Sequence, residues 1–243
     1  MVDSRKIIVT GHYGSGKTEF SVSLAMQIAA GGKFPTLQKK QTANSQPNLN
    51  KLAIIDFDIV NPFFRSREKR EMLKNAGIEV YGSVYDVEIT AELPALGASL
   101  RAPLEDSSCR VIIDVGGNDT GALVLNQFSK YFTDDETTVL AIVNANRPDT
   151  SDLDGALDHI ASIEKITGLT VDAIVNNTHM LRNTTAADVI EGHAFCKEIC
   201  DKTGKSLLCD CYPDGIVDPA ELNGLSGNLL ALGLYMRPTW FDK

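Results

Sequence analysis

Residues 6–18 read Lys6-Ile7-Ile8-Val9-Thr10-Gly11-His12-Tyr13-Gly14-Ser15-Gly16-Lys17-Thr18, and this stretch decides the fold. The apolar run before Gly11 is β-branched at most positions and predicts a strand over Lys6–Thr10. From Lys17 onward Phe20, Leu24 and Ile28 recur at helical spacing, predicting a helix over Lys17–Ala30. Between them lies G-x-x-x-x-G-K-[ST], the phosphate-binding P-loop, in the strand-loop-helix context it requires. Glycines at 11, 14 and 16 let backbone N–H groups turn inward as an anion-binding nest, and the helix N-terminus adds partial positive charge. Phosphate contacts are therefore expected from Gly11, Gly14, Ser15, Gly16, Lys17, Thr18 and Glu19. Lys17 would reach the β- and γ-phosphates, and the Thr18 hydroxyl would ligate Mg²⁺.

The 243 residues are 43% hydrophobic and 23% charged, enough to bury a core as one α/β domain over 1–243. A net charge of −9 argues against broad binding to nucleic acid or to an anionic membrane. No apolar run approaches the roughly 20 residues needed to span a bilayer. Met1–Lys6 lacks the apolar segment of a signal peptide. Five cysteines, an odd number, suit a reducing cytoplasm better than a disulfide framework.

Apolar, β-rich runs alternate with helical patterns along the chain. Strands are expected at Lys6–Thr10, Leu52–Asp56, Glu79–Tyr81, Val111–Val115, Thr138–Val143, Val171–Asn176 and Ser206–Asp210. Helices are expected at Lys17–Ala30, Ser66–Ala76, Ala91–Leu100, Ala122–Tyr131, Ser151–Thr167, Thr184–Thr203 and around Asn228–Met236. This order predicts a three-layer α/β sandwich with a mostly parallel sheet of about seven strands, covered by helices on both faces. Ligands of such sheets sit at the strands' carboxyl ends. Polar residues gather there: after Thr10, and at Asp56, Asp114, Asn144, Asn176 and Tyr212-Pro213-Asp214. The polar stretch 31–51, with two prolines, four lysines and three asparagines, reads as a surface insertion or a lid or docking loop.

Two carboxylate segments complete the constellation. In Leu52-Ala53-Ile54-Ile55-Asp56-Phe57-Asp58, alternation puts Asp56 and Asp58 on one side of the strand while it stays regular. Either acid could orient an attacking water or hold a water on Mg²⁺. In Val111-Ile112-Ile113-Asp114-Val115-Gly116-Gly117, a buried strand leads into an acid with the form of a Walker B aspartate on Mg²⁺. The glycine pair permits close approach to a γ-phosphate and supplies a hinge, so Gly117 joins the expected nucleotide contacts.

With Gly11–Thr18, Asp56-Phe57-Asp58-Ile59, Asp114–Gly117, Val175-Asn176-Asn177 and Tyr212-Pro213-Asp214, the chain resembles the MinD/ParA/CobQ group of P-loop ATPases. That group is the dimerising branch of the class that includes the signal-recognition GTPases. The resemblance runs from about residue 5 to 235. It implies Mg²⁺-dependent ATP hydrolysis used as a switch, ADP as product, a homodimer and a client protein. It implies that Asp56 positions hydrolytic water, that Asp58 is a switch residue, and that Asn176 reads the adenine edge. Pro213 and Asp214 would close over the base. Lys17, Asp56 and Asp114 form the implied catalytic set, and Thr18, Asp58 and Asp114 the implied metal set. One departure stands out: where the group carries a second, cross-subunit lysine after the first P-loop glycine, this chain has His12.

Asn176-Asn177-Thr178-His179 has no acid in the register that reads guanine, which favours adenine. Asn144-Ala145-Asn146-Arg147-Pro148 reads as a contact for substrate or partner, or as a plain strand-to-helix turn. Asn61–Arg65, with adjacent aromatics, reads as packing or docking. Cys209 and Cys211 offer two soft ligands, or act as small apolar residues. A phosphotransferase or ligase on the same scaffold, and a nucleotide-gated metal-insertion partner, are the other readings.

Overall fold

The computed structural model describes residues 4–32, 49–57, 69–82, 100–117, 123, 125–133, 135–225 and 227–236. Eight strands form one sheet: β1 (Lys6–Gly11), β2 (Lys51–Asp56), β3 (Ile78–Gly82), β4 (Cys109–Asp114), β5 (Thr137–Val143), β6 (Ala173–Asn176), β7 (Ser206–Pro213) and β8 (Leu229–Leu232). Their order is β3-β2-β4-β1-β5-β6-β7-β8. Every pairing is parallel, so all carboxyl ends lie along one edge. Between them run the helices α1 (Lys17–Ala29), α2 (Arg70–Asn75), α3 (Leu153–Thr167) and α4 (Ala186–Thr203).

Side chains alternate across the strands and build a core on each face. Ile7, Val9, Ile54, Ile112, Leu140 and Ile142 pack with Phe20, Val22 and Leu24 of α1. Ile8, Ile55, Ile113 and Ala141 pack on the other face with Ala156 and Ile160 of α3 and Cys196 and Ile199 of α4. Continuous apolar strands are what a sheet covered on both sides demands. α1 is enclosed further still: it touches β1, β2, β3, β4 and β8, and even Ser21 and Ser23 are buried.

The helices end as their sequences suggest. Asp152 caps α3 by accepting from Gly155 N, and Thr185 with Asp188 forms a capping box on α4. α3 and α4 stop at left-handed glycines, Gly168 and Gly204, in the conformation glycine tolerates best.

Two expectations are corrected. The run around Asn228–Met236 is not a helix; Leu229–Leu232 is an eighth strand, paired from Asp210↔Leu229 to Pro213↔Leu232. β7 runs on to Pro213, and β8 supplies the partner for that extension, which makes eight strands among the described residues. The run Ala122–Tyr131 ends in turns and a 3₁₀ segment over Ser129–Tyr131 instead of a continuous helix. There Phe128 and Phe132 are both buried, and Phe132 N closes a tight bond to Ser129 O. Asp58, Asn61–Arg65, most of the insertion 31–51 and most of Ala91–Leu100 lie outside the described residues, as do the first residues of Ser66–Ala76.

Candidate functional site

The loop between β1 and α1 turns on glycines with positive φ: 147° at Gly11, 75° at Gly14 and 83° at Gly16. Gly11 and Gly16 have no room for a side chain. A Cβ on Gly11 would stand 2.3 Å from Ile142 O, and one on Gly16 would stand 2.3 Å from Asn177 Nδ2. The first α1 bond runs from Phe20 N to Gly16 O at 2.9 Å, so the N–H groups of Lys17, Thr18 and Glu19 precede it. Unlike α3 and α4, α1 has no side-chain cap. An uncapped helix start behind a glycine loop is suited to an anion. Lys17 is 7% exposed, and its Nζ donates to His12 O at 2.9 Å, folding it back across the loop.

The two acids meet at the same place. Asp56 and Asp114 are register partners across β2 and β4, and Asp114 is level with Val9 of β1. By alternation from Ile54 and Ile112, both carboxylates face the α1 side of the sheet. They are 2% and 1% exposed. Burying two carboxylates side by side is expensive unless cations or donors face them. Phe57 N donates to Asp114 O, and Val115 N to Val9 O, binding these strand ends together.

Gly117 is brought against the loop as well. A Cβ there would fall 2.7 Å from both Lys17 Nζ and Tyr13 N. Gly117→Ala is therefore expected to push the 115–117 turn off the loop, weakening nucleotide binding at least about 10-fold at a stability cost of about 1–3 kcal/mol. Calorimetric titration alongside urea unfolding checks it; wild-type affinity would show that the contact is dispensable.

Other expected residues serve the scaffold. The amide of Asn176, fully buried, donates to Val189 O at 2.9 Å and Asp210 Oδ1 at 2.8 Å and accepts from Thr178 N. Its amide is thus engaged within the protein. The Glu19 carboxylate accepts from Tyr235 N at 2.6 Å and Met236 N at 2.9 Å, so it is engaged within the protein. Burial raises its pKa above the ordinary carboxylate value. Pro213 ends β7, and Asp214 is exposed just beyond it, its N–H donating to Leu232 O. Both lie on the strand-end edge. The Ser15 hydroxyl is buried within the loop.

Three residues outside the expected nucleotide contacts lie at the loop, one of them, Arg147, in the segment read as a substrate or partner contact or a plain turn. Asn177 Nδ2 donates to Ser15 O at 2.8 Å. Arg147 Nε donates to Gly14 O at 2.9 Å. His179 would approach a Gly16 Cβ to 3.1 Å, and its Nδ1 accepts from Leu181 N, which leaves the proton on Nε2. All three follow β5 or β6. Their polarity at parallel strand ends was the only available signal. His12 turns to its own chain, its ring 5.1 Å from that of His159 in an edge-on contact.

Burial first, and then Arg147, lower the His179 pKa from 6.5 to about 4. The unfolded chain thus takes up this proton before the folded one does. The residue therefore costs stability as pH falls from 6.5 towards 4 and has no such effect above 6.5. His179→Gln is expected to flatten the loss of unfolding free energy between pH 7 and 5, as read by urea titration; parallel profiles would contradict it.

The cysteines divide. Cys209 and Cys211 are buried in the α1-side core, and Cys196 and Cys200 in the opposite one. Among the described residues no group of three or more His, Cys, Asp or Glu converges as a metal cage, and no helix is long and apolar enough to cross a membrane.

The all-parallel topology with this glycine loop after its central strand β1 defines a P-loop α/β fold. No family profile and no curated protein match the chain. Among solved structures it is similar to the signal recognition particle receptor FtsY of Elizabethkingia anophelis, at 15% identity over 83% of this chain and 56% of that one, TM-score 0.49. It is similar to FtsY of Thermotoga maritima at 17% identity over 83% and 59%, TM-score 0.47. A nucleotide-binding protein from Archaeoglobus fulgidus, solved with ADP, shares 15% identity over 90% and 84%, TM-score 0.45. The chain thus spans little more than half the length of the FtsY chains.

Proposed function

We propose that the protein binds Mg·ATP in the 11–18 loop and hydrolyses it, using nucleotide state as a conformational switch on a client protein, in the manner of the MinD/ParA/CobQ-type ATPases. One observation carries this reading: the uncapped start of α1, buried Lys17 and the register-paired carboxylates Asp56 and Asp114 all meet at one strand-end edge.

The backbone N–H groups of the loop would hold the β-phosphate, with Lys17 swinging from His12 O onto the β- and γ-oxygens. The donor set fits Mg²⁺, which takes one or two carboxylates plus phosphate and water oxygens: Thr18 and Asp114 would hold it, with Asp58 as a further candidate. When bound, it would neutralise charge on the phosphates. Asp56, beside Asp114, would accept a hydrogen bond from the attacking water and align it. Loss of the γ-phosphate would free the turn at Gly116-Gly117, which lies against Lys17, and so carry nucleotide state to the surface.

Adenine is favoured because His179, held neutral, occupies the register where an acid would accept from guanine. An ATP-bound homodimer in the cytoplasm follows from the same reading. His12 favours a second reading: a residue packed on His159 does not reach across a dimer as the group's additional lysine does, which suits a phosphotransferase or ligase that works as one chain.

Competition calorimetry with ATP, GTP and ADP in Mg²⁺ tests the proposal, with light scattering on the same samples. ATP is expected to bind at least about 10-fold more tightly than GTP, a difference of about 1.4 kcal/mol, and an ATP analogue, unlike ADP, to give a dimer. Equal GTP binding overturns the base assignment. A monomer throughout turns preference to the transferase reading.

A further inference from the structure

The turn after β5 is built to hold one cation against the glycine loop. Asn144 is fully buried, and its Oδ1 accepts from Asn146 N at 3.0 Å and His179 N at 3.3 Å. Its carbonyl accepts from Thr150 Oγ1 at 3.0 Å and Arg147 N at 3.2 Å. Thr150 N closes the turn onto Arg147 O. Pro148 then fixes the backbone into the 3₁₀ segment Pro148–Thr150. The turn is therefore rigid on both sides of Arg147.

From this base Arg147 lies along the loop. Its Nε donates to Gly14 O at 2.9 Å. A Cβ on Gly14 would stand 2.8 Å from Nε and 3.0 Å from Cζ, so the guanidinium rests on the peptide itself, in the space a side chain would take. One of its five N–H donors is used there. Nη1 and Nη2 donate to no described residue, and Arg147 pairs with no carboxylate among them. The neighbouring His179 is neutral, so it brings neither a matching anion nor a competing charge.

A half-buried guanidinium fixed through Nε, with its forked Nη donors still to be matched, is suited to bidentate contact with phosphate oxygens. We propose that Arg147 contacts the nucleotide's phosphates from the same chain that supplies the P-loop, delivering in cis the cation for which this chain has no second loop lysine. The inference rests on the nucleotide reading above and adds to it a residue and a direction of approach. Charge grows on the phosphate oxygens as the γ-phosphoryl group departs, so the contact would strengthen along the reaction and favour ATP over ADP in binding.

Arg147→Gln is the informative variant, because its amide can still donate to Gly14 O while the charge and the fork are lost. Arg147→Ala and Arg147→Lys accompany it. ADP and a non-hydrolysable ATP analogue are titrated by calorimetry, and single-turnover hydrolysis is followed over a dilution series of the whole chain. In Arg147→Gln, ADP affinity is expected to stay within about 3-fold, preference for the ATP analogue to fall at least about 10-fold, and hydrolysis to slow at least about 100-fold. Lysine is expected to restore only part of the rate. Wild-type turnover per chain is expected to be independent of dilution. A wild-type rate in Arg147→Gln and Arg147→Ala overturns the inference and leaves the nucleotide reading standing. An equal loss of ADP and analogue affinity assigns Arg147 to loop support and also overturns it. A rate per chain that falls on dilution assigns the contact to a second copy, against the cis assignment. Wild-type protein that binds no nucleotide overturns both readings.

Discussion

Lys17→Ala is expected to lower nucleotide turnover at least about 100-fold, equivalent to about 2.7 kcal/mol of lost transition-state stabilisation. The rest of the phosphate cradle is backbone, so Lys17 is the one loop side chain that brings a full charge. The substitution should spare the fold. Alanine is the strongest helix former at the start of α1, and the bonds lost within the protein, including the one from Nζ to His12 O, belong to a single side chain. Taking a buried ammonium out of a site 7% exposed also removes its desolvation cost. Circular dichroism should therefore show a native chain, while calorimetry shows weak or no binding of Mg·ATP. Unchanged affinity together with unchanged turnover would remove the P-loop from the account of this protein.

Asp56→Asn and Asp114→Asn are expected to fail differently, although the two positions are register neighbours and almost equally buried. Asparagine keeps the shape and removes the charge. At Asp56 it should leave Mg·ATP affinity within a few-fold and slow hydrolysis about 100-fold or more, because an amide is a poorer acceptor for the proton of an aligned water. At Asp114 it should flatten the Mg²⁺ dependence of binding, because one negative charge facing the cation is gone. Titrations at several Mg²⁺ concentrations, set beside single-turnover rates, separate the two. Indistinguishable variants would mean that the carboxylates act as one unit and that the division of roles is wrong.

What could be read from the chain without its structure was local. β1, the glycine loop and α1 announce themselves in one continuous pattern over residues 6–28. Asp56 and Asp114 close apolar strands whose alternation survives in the fold. The failures lie where partners are distant. Leu229–Met236 is apolar without a decisive period, so a short strand and a buried helix look alike there; the free edge of β7 decides between them. Asn176 reads as a base contact, and nothing near it in sequence signals the bonds of its amide to Asp210 and Val189, from β7 and α4. Arg147 sits 133 residues from Gly14, and nothing near either residue signals the contact. His12 differs: the departure was visible in the loop itself, while its packing on His159 was not.

The bonds from Glu19 to Tyr235 and Met236 span 216 and 217 residues. During synthesis, the first turn of α1 emerges long before the segment that closes over it. At the 5–20 residues per second typical of translation, that helix waits for something on the order of ten seconds or more before its Glu19 carboxylate meets those two amides. Ser23 and Gln27, farther along the same helix, wait equally for Gly233 and Ala231. Enclosure of α1 is thus delayed until the segment 229–236 has been made. A nascent chain halted before residue 229 would carry the complete glycine loop without the strand and the anchors that enclose its helix.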